Sequence, residues 1–199
     1  MGSEMDCSTE LHIKNKAKEL FFVHGQLNAT TQEIADYAKV NRTLVNYYFR
    51  SKKNLFRVVY VELMTEMKSN LATVYTSEVG FHLKIDQLID CLFDFRINYP
   101  YMEIFNIQET QKLNNNKETI VQPKATRELI EFLKEIEKEM EKGTIKKYEP
   151  VDFIINVISM VSFPIVMRPI FSEIFALKKE DYDALLRERK DVIKKLIFN

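Results

Sequence analysis

The chain has 199 residues, 29 basic against 29 acidic, and is 46% hydrophobic, so one or two globular domains with an ample core are expected. Four Gly and five Pro are too few for a loop-rich β fold. No stretch approaches the roughly 20 uninterrupted apolar residues of a membrane span, and Cys7 with Cys91 cannot build a disulfide framework. A reduced cytoplasm and no membrane partner are therefore expected.

In chain order, Ser8 or Thr9 can cap a helix over 9–24 that Gly25 stops, with Leu11, Ile13, Ala17, Leu20, Phe21 and Val23 on its apolar face. Thr30-Thr31-Gln32-Glu33 reads as a capping box opening a short helix to Ala38. Lys39-Val40-Asn41 makes a tight turn, and Asn41 caps a second short helix over 42–48. Ser51 caps a long helix over 52–75, striped by Leu55, Val59, Leu63, Met67 and Leu71 at four-residue spacing.

After Gly80, helices are predicted over 83–99, 101–113, 118–141, 151–168 and 180–198, with Asn114-Asn115-Asn116 as a polar break. Pro164 and Pro169 should kink or end the helix that starts at Val151. Sustained strand alternation is absent. The expected fold is all-α, with a helix-turn-helix domain at 1–51 and a larger helical domain at 52–199.

The charge is unevenly spread. No acidic residue lies between Asp36 and Glu62, whereas Lys39, Arg42, Arg50, Lys52, Lys53 and Arg57 all do. A basic run is most often only a solvated face, and its setting decides. Here it coincides with two short helices joined by a tight turn, a layout whose second helix lies in the DNA major groove. On that helix Arg42, Thr43 and Asn46 can hydrogen-bond base edges, Leu44 can meet a thymine methyl, and Val45 should turn inward. Lys52, and Thr30 with Thr31 beside it, stand at helix N-termini suited to phosphates. Phe49 reads as core.

The run Ile34-Ala35-Asp36-Tyr37-Ala38-Lys39-Val40-Asn41, followed by Tyr47-Tyr48-Phe49-Arg50-Ser51-Lys52-Lys53-Asn54-Leu55-Phe56, resembles the head of the tetracycline-repressor (TetR) family. That head shows I-A-x-x-A-G-V-S and then Y-x-Y-F-x-S-K-E-x-L at matching distance, and the likeness covers about residues 9–60. Lys39 stands where the turn Gly is usual, Asn46 where an aromatic is common, and Tyr47 where His is common. The resemblance implies phosphate contacts at Thr30 and Lys52 and DNA-facing positions at Asn46 and Tyr47. It also implies a homodimer paired through the last two helices, and an apolar effector pocket in the body.

The residues agree on pairing. Val151, Ile154, Ile155, Val157, Ile158, Val161, Phe163 and Ile165 surround their helix, and the final helix carries Tyr182, Leu185, Leu186, Val192, Ile193, Leu196 and Ile197. Leu186 and Ile193 are taken as interface positions. Phe93, Tyr99, Met102, Phe105, Ser159, Met160, Phe163 and Met167 either line a ligand cavity or form plain core, with Asn98, Asn106 and Gln108 as further polar groups that could orient an effector. Neither catalytic residues, nor metal ligands around His12, His24 and His82, nor a cofactor motif are found.

The functional expectation is a non-enzymatic transcription regulator: a repressor binding double-stranded, pseudo-palindromic operator DNA as a homodimer and responding to an apolar small-molecule effector. The alternative is a helical carrier or sensor without specific DNA binding.

Overall fold

The computed structural model describes residues 2–114, 119–120 and 124–198, and contains helices and no strand among them. In order they are α1 Gly2–Lys18, a π-helical turn Glu19–Val23, α2 Thr31–Ala38, α3 Arg42–Phe49, α4 Lys52–Tyr75 and α5 Phe81–Asn98. Then follow α6 Met102–Asn114, α7 Arg127–Glu141, α8 Pro150–Val166, α9 Arg168–Ile174 and α10 Lys179–Phe198. Packing divides the chain into two compact units, Met1–Met67 with Tyr99–Gln122, and Lys68–Asn98 with Pro123–Asn199.

In the first unit α1 begins well before Ser8, and its register passes through the π turn before Gly25 ends it. Gly25 is required there twice over. Its φ is +72°, and an added Cβ would lie 2.5 Å from the Tyr101 ring. Ile13, Ala17, Leu20, Phe21 and Phe22 are buried, whereas Leu11 and Val23 are exposed despite their place on the predicted apolar face.

The core continues through Leu55, Phe56, Val59, Tyr60 and Leu63 of α4. It is completed by α6, whose Phe105 ring lies 4.7 Å from Phe56, 5.0 Å from Tyr60 and 5.8 Å from Phe22. The Tyr101 amide donates to the Phe22 carbonyl at 3.3 Å, and the Tyr60 hydroxyl to Asn106 at 3.0 Å. The unit carrying the helix-turn-helix is thus larger than residues 1–51. Tyr99, Met102 and Phe105, expected in the effector body, belong to it. The pull is aromatic: Phe105 completes a ring cluster that the π-helical turn and α4 leave open.

In the second unit α5 and α8 form the centre, with α7 and α10 packed on α8. Ile85, Leu88, Ile89, Leu92 and Phe93 of α5 bury together with Phe153, Val157 and Val161 of α8, Phe132 and Ile136 of α7, and Tyr182, Leu186 and Ile193 of α10. A buried cation is accommodated too. Lys84 donates to Glu135 at 2.7 Å and to the Tyr75 carbonyl at 3.4 Å.

Two boundaries differ from expectation. The helix predicted over 118–141 begins at Arg127, where the Thr126 hydroxyl accepts from the Leu129 amide at 3.2 Å. Residues 115–118 and 121–123, which held part of that prediction and of the polar break, lie outside the described residues. At the other end Pro164 sits inside α8 without ending it, and α9 is an additional helix turned 68° from α8. Pro169 fits the first turn of α9, where no amide partner is needed.

The outward faces are informative. On α8, Val151, Ile155, Ser159 and Phe163 are exposed, and on α10 so are Leu185, Val192 and Leu196. Leu186 and Ile193, taken as interface positions, instead fill the unit's own core. Ser159 and Phe163 likewise face outward rather than into an interior cavity, Phe163 at 54% exposure. With apolar residues on two faces of each helix, hydrophobic spacing alone does not say which face turns in. No single helix among the described residues is long and apolar enough to cross a membrane.

Candidate DNA interface

The interface is built from local caps and two strained turns. At the start of α2 the Thr30 hydroxyl accepts from the Glu33 amide at 3.2 Å. Glu33 returns the contact, its carboxylate accepting from the Thr30 amide at 2.6 Å and hydroxyl at 2.8 Å. These bonds hold the Glu33 carboxyl below the usual range, the backbone amide of Thr30 contributing most. The amides of Thr31 and Gln32, in the first turn, have no intrahelical acceptor and point at whatever lies beyond the helix end.

At the other end of α2, Lys39 takes the left-handed conformation (φ 54°, ψ 41°), while the Val40 amide reaches back to Ala35 at 3.0 Å. This is the position a Gly would fill at no steric cost. Asn41 then caps α3 by accepting from the Thr43 amide at 2.8 Å. The exit from α3 is tighter. Arg50 has φ 62°, and the Ser51 amide donates to the Phe49 carbonyl at 2.6 Å. A non-Gly residue held so costs of order 1–3 kcal/mol, and surrounding contacts must impose it.

Asn54 supplies one such contact that sequence reasoning missed. Its side-chain amide donates to the same Phe49 carbonyl at 3.1 Å, its oxygen accepts from Arg57 at 3.2 Å, and its backbone amide donates to Ser51 Oγ at 3.2 Å. The signal was present as a serine followed three residues later by an amide side chain, a capping pattern. His12 adds another, its Nε2 lying 2.8 Å from the Ala38 carbonyl at the end of α2.

With both ends held, α3 divides cleanly into two faces. Val45 and Phe49 are buried, as their residue types suggested. Arg42, Thr43, Leu44, Asn46 and Tyr47 all lie outside, and Tyr47 is 69% exposed. Thr30 is exposed at the edge of α2, Thr31 is half-buried, and Lys52 is half-buried at the first residue of α4. Burial lowers the Lys52 pKa, opposed in part by the Glu33 carboxylate. Lys39, Arg42, Arg50, Lys53 and Arg57 are exposed as well, so the basic run is a surface.

That arrangement can read nucleic acid. An eight-residue helix fits the major groove, about 12 Å wide, and presents a guanidinium, a hydroxyl and an amide to base edges. No three His, Cys, Asp or Glu side chains among the described residues group as metal ligands. Of the residues expected to meet an effector, Tyr99, Met102 and Phe105 fall in the first unit, and Phe93, Ser159, Met160, Phe163 and Met167 in the second.

Comparison with known proteins agrees with this geometry. The sequence model described as "Bacterial regulatory proteins, tetR family" matches residues 13–59, from the middle of α1 into α4. The chain is 24% identical over 139 residues to the HTH-type transcriptional regulator YhgD of Bacillus subtilis strain 168, covering 69% of this chain and 72% of that one. In fold it is similar to a TetR family transcription regulator from Marinobacter aquaeolei VT8, with a TM-score of 0.58, 14% identity and 98% of both chains covered. It is similar also to a TetR-family transcriptional regulator from Haemophilus influenzae RD, with a TM-score of 0.57, 12% identity, and 97% and 98% of the two chains covered. Residues 13–59 match the model of the tetR family of bacterial regulatory proteins, so the helix-turn-helix is similar to the head of that family, and the whole chain shares the fold of the solved regulators.

Proposed function

We propose that the protein is a ligand-responsive repressor that binds a pseudo-palindromic operator as a homodimer. The observation that carries this reading is the two-faced α3, with Val45 and Phe49 inside and Arg42, Thr43, Leu44, Asn46 and Tyr47 outside. Thr30, Thr31 and Lys52 flank it at helix N-termini and are assigned to phosphates.

Pairing is supported by the outward apolar residues of α8 and α10: Val151, Ile155 and Phe163, with Leu185, Val192 and Leu196. A monomer rarely exposes so many large apolar side chains on two neighbouring helices. A two-fold dimer would set its recognition helices about 34–36 Å apart, on successive major-groove faces. An effector that prefers one dimer conformation would change operator affinity by that preference and no more. The helix α4 contributes to both compact units and is the assigned lever.

Retention of duplex DNA at rising salt tests the reading. Sequence-selective binding with a steep salt dependence is expected. Salt-independent or sequence-blind retention would favour a small-molecule carrier or sensor instead.

A further inference from the structure

The two turns that flank α3 each hold a residue with a side chain at positive φ, Lys39 at 54° and Arg50 at 62°. In both, the carbonyl just before that residue accepts a hydrogen bond from a neighbouring helix. His12 of α1 reaches the Ala38 carbonyl at 2.8 Å, and Asn54 of α4 reaches the Phe49 carbonyl at 3.1 Å.

The Asn54 contact admits only one arrangement. The Phe49 carbonyl can only accept, and the Arg57 guanidinium, 3.2 Å from Asn54 Oδ1, can only donate. The side-chain amide is therefore fixed, with Nδ2 toward the end of α3 and Oδ1 toward the next turn of α4. Phe49 also has a second donor, the Ser51 amide at 2.6 Å. Removing the Asn54 amide thus leaves the carbonyl with a partner, and the fold should lose little. What goes is the side-chain tie between the last residue of α3 and α4. Asn46 and Tyr47 lie in that last turn, and the Arg50 amide donates to the Asn46 carbonyl at 2.8 Å.

We propose that Asn54 is a positioning residue for DNA reading: it clamps the exit of α3 and so holds Asn46 and Tyr47 where they meet base edges. The proposal rests on the reading of α3 as the DNA-facing helix. A binding constellation must be held within about 0.5 Å of its productive geometry. Phosphate contacts act largely through charge and carry no sequence information. Loss of the clamp should therefore fall on sequence preference and spare general affinity for duplex.

The test compares the full chain with two variants. Asn54→Leu is a neutral near-isostere without the donor, and Asn54→Asp turns an oxygen toward the Phe49 carbonyl. Asp also suits the third position of a helix, so α4 keeps its start. The probes are the duplex that the wild type selects from random DNA and a scrambled duplex of equal length. Both variants should bind the selected duplex at least about tenfold more weakly. Asn54→Leu should bind the scrambled duplex within about twofold of the wild type. Without DNA, hydrogen exchange at the Arg50 amide should quicken about tenfold, with α2 amides and the melting temperature unchanged.

Selective binding kept by both variants, or an equal loss on the two duplexes in Asn54→Leu, overturns the positioning role and spares the DNA reading. Lowered melting with faster exchange throughout α2 overturns it too, because Asn54 would then support the fold at large. A wild type that selects no duplex overturns the DNA reading and this role with it, and the Arg50 exchange rate still decides whether the clamp exists.

Discussion

The Tyr182 hydroxyl donates to the Pro164 carbonyl at 2.7 Å, in a place where both are buried. The bend between α8 and α9 turns the chain away one turn after Pro164, and the hydroxyl supplies the carbonyl with a partner from α10. A companion contact answers the proline from its other side. Pro164 has no N–H to offer the Met160 carbonyl, and Arg189 Nε donates to that oxygen at 3.3 Å. The final helix thus completes the backbone of the helix it packs on.

Tyr182→Phe keeps the ring and removes the donor. A buried carbonyl left without a partner costs about 1–3 kcal/mol, so chemical denaturation should show a loss of that size with an unchanged m-value. A loss below about 0.5 kcal/mol would mean that water reaches Pro164.

The reciprocal Thr30–Glu33 cap makes a second prediction. Thr30→Ala should cost roughly 1 kcal/mol, because the α2 amide it serves loses its acceptor. The pH dependence follows from the depressed Glu33 pKa. Its contribution is present above the unfolded-state value of about 4.3 and is lost as pH falls through the lower folded-state value. Glu33→Gln should therefore flatten the stability profile in that acid window and leave its shape near neutrality unchanged. An unaltered acid profile would show that the cap does not sense Glu33 ionisation.

Much of the head was legible because its signals are local. The capping box, the Asn41 cap, the Ser51 cap and Gly25 each depend on residues within one turn, and α2, α3 and α4 begin where those caps place them. The body was less legible for physical reasons. The start of α7 was read too early although Thr126 can cap it, because the charged pattern continues upstream without a visible change of period. Pro169 was read only as a stop, yet the same residue suits a first turn. Phe105 was assigned by chain position to the body, but its partners Phe22, Phe56 and Tyr60 are distant in sequence, and no local pattern reports such packing.

The faces of α10 separate pairing from folding. Leu185 and Val192 are exposed, each at 42%, whereas Leu186 is buried. Leu185→Glu with Val192→Glu should leave melting of the isolated chain intact and convert the dimer to monomer in sedimentation. Leu186→Ala should instead destabilise the fold by about 2–5 kcal/mol through the cavity it leaves. A wild type that is monomeric at micromolar concentration would contradict pairing through this face.

The roles proposed for the outer face of the head can be separated by mutation. Lys52→Ala should weaken binding to every duplex and reduce the salt dependence by about one unit of slope. Arg42→Ala or Asn46→Ala should relax preference at particular base pairs, by roughly 1–3 kcal/mol each. Equal losses on all sequences from all three changes would contradict the division.

The central claim is that α3 reads operator sequence from a two-fold dimer, and selection of bound duplexes from random DNA by the purified protein tests it most directly. The account predicts enrichment of an inverted repeat whose half-sites lie about 10–10.5 base pairs apart, or a multiple of that. It further predicts that Arg42→Ala or Asn46→Ala enriches a repeat degenerate at one symmetric pair of positions. Selection that yields no common sequence, or an unchanged repeat from both variants, would contradict it.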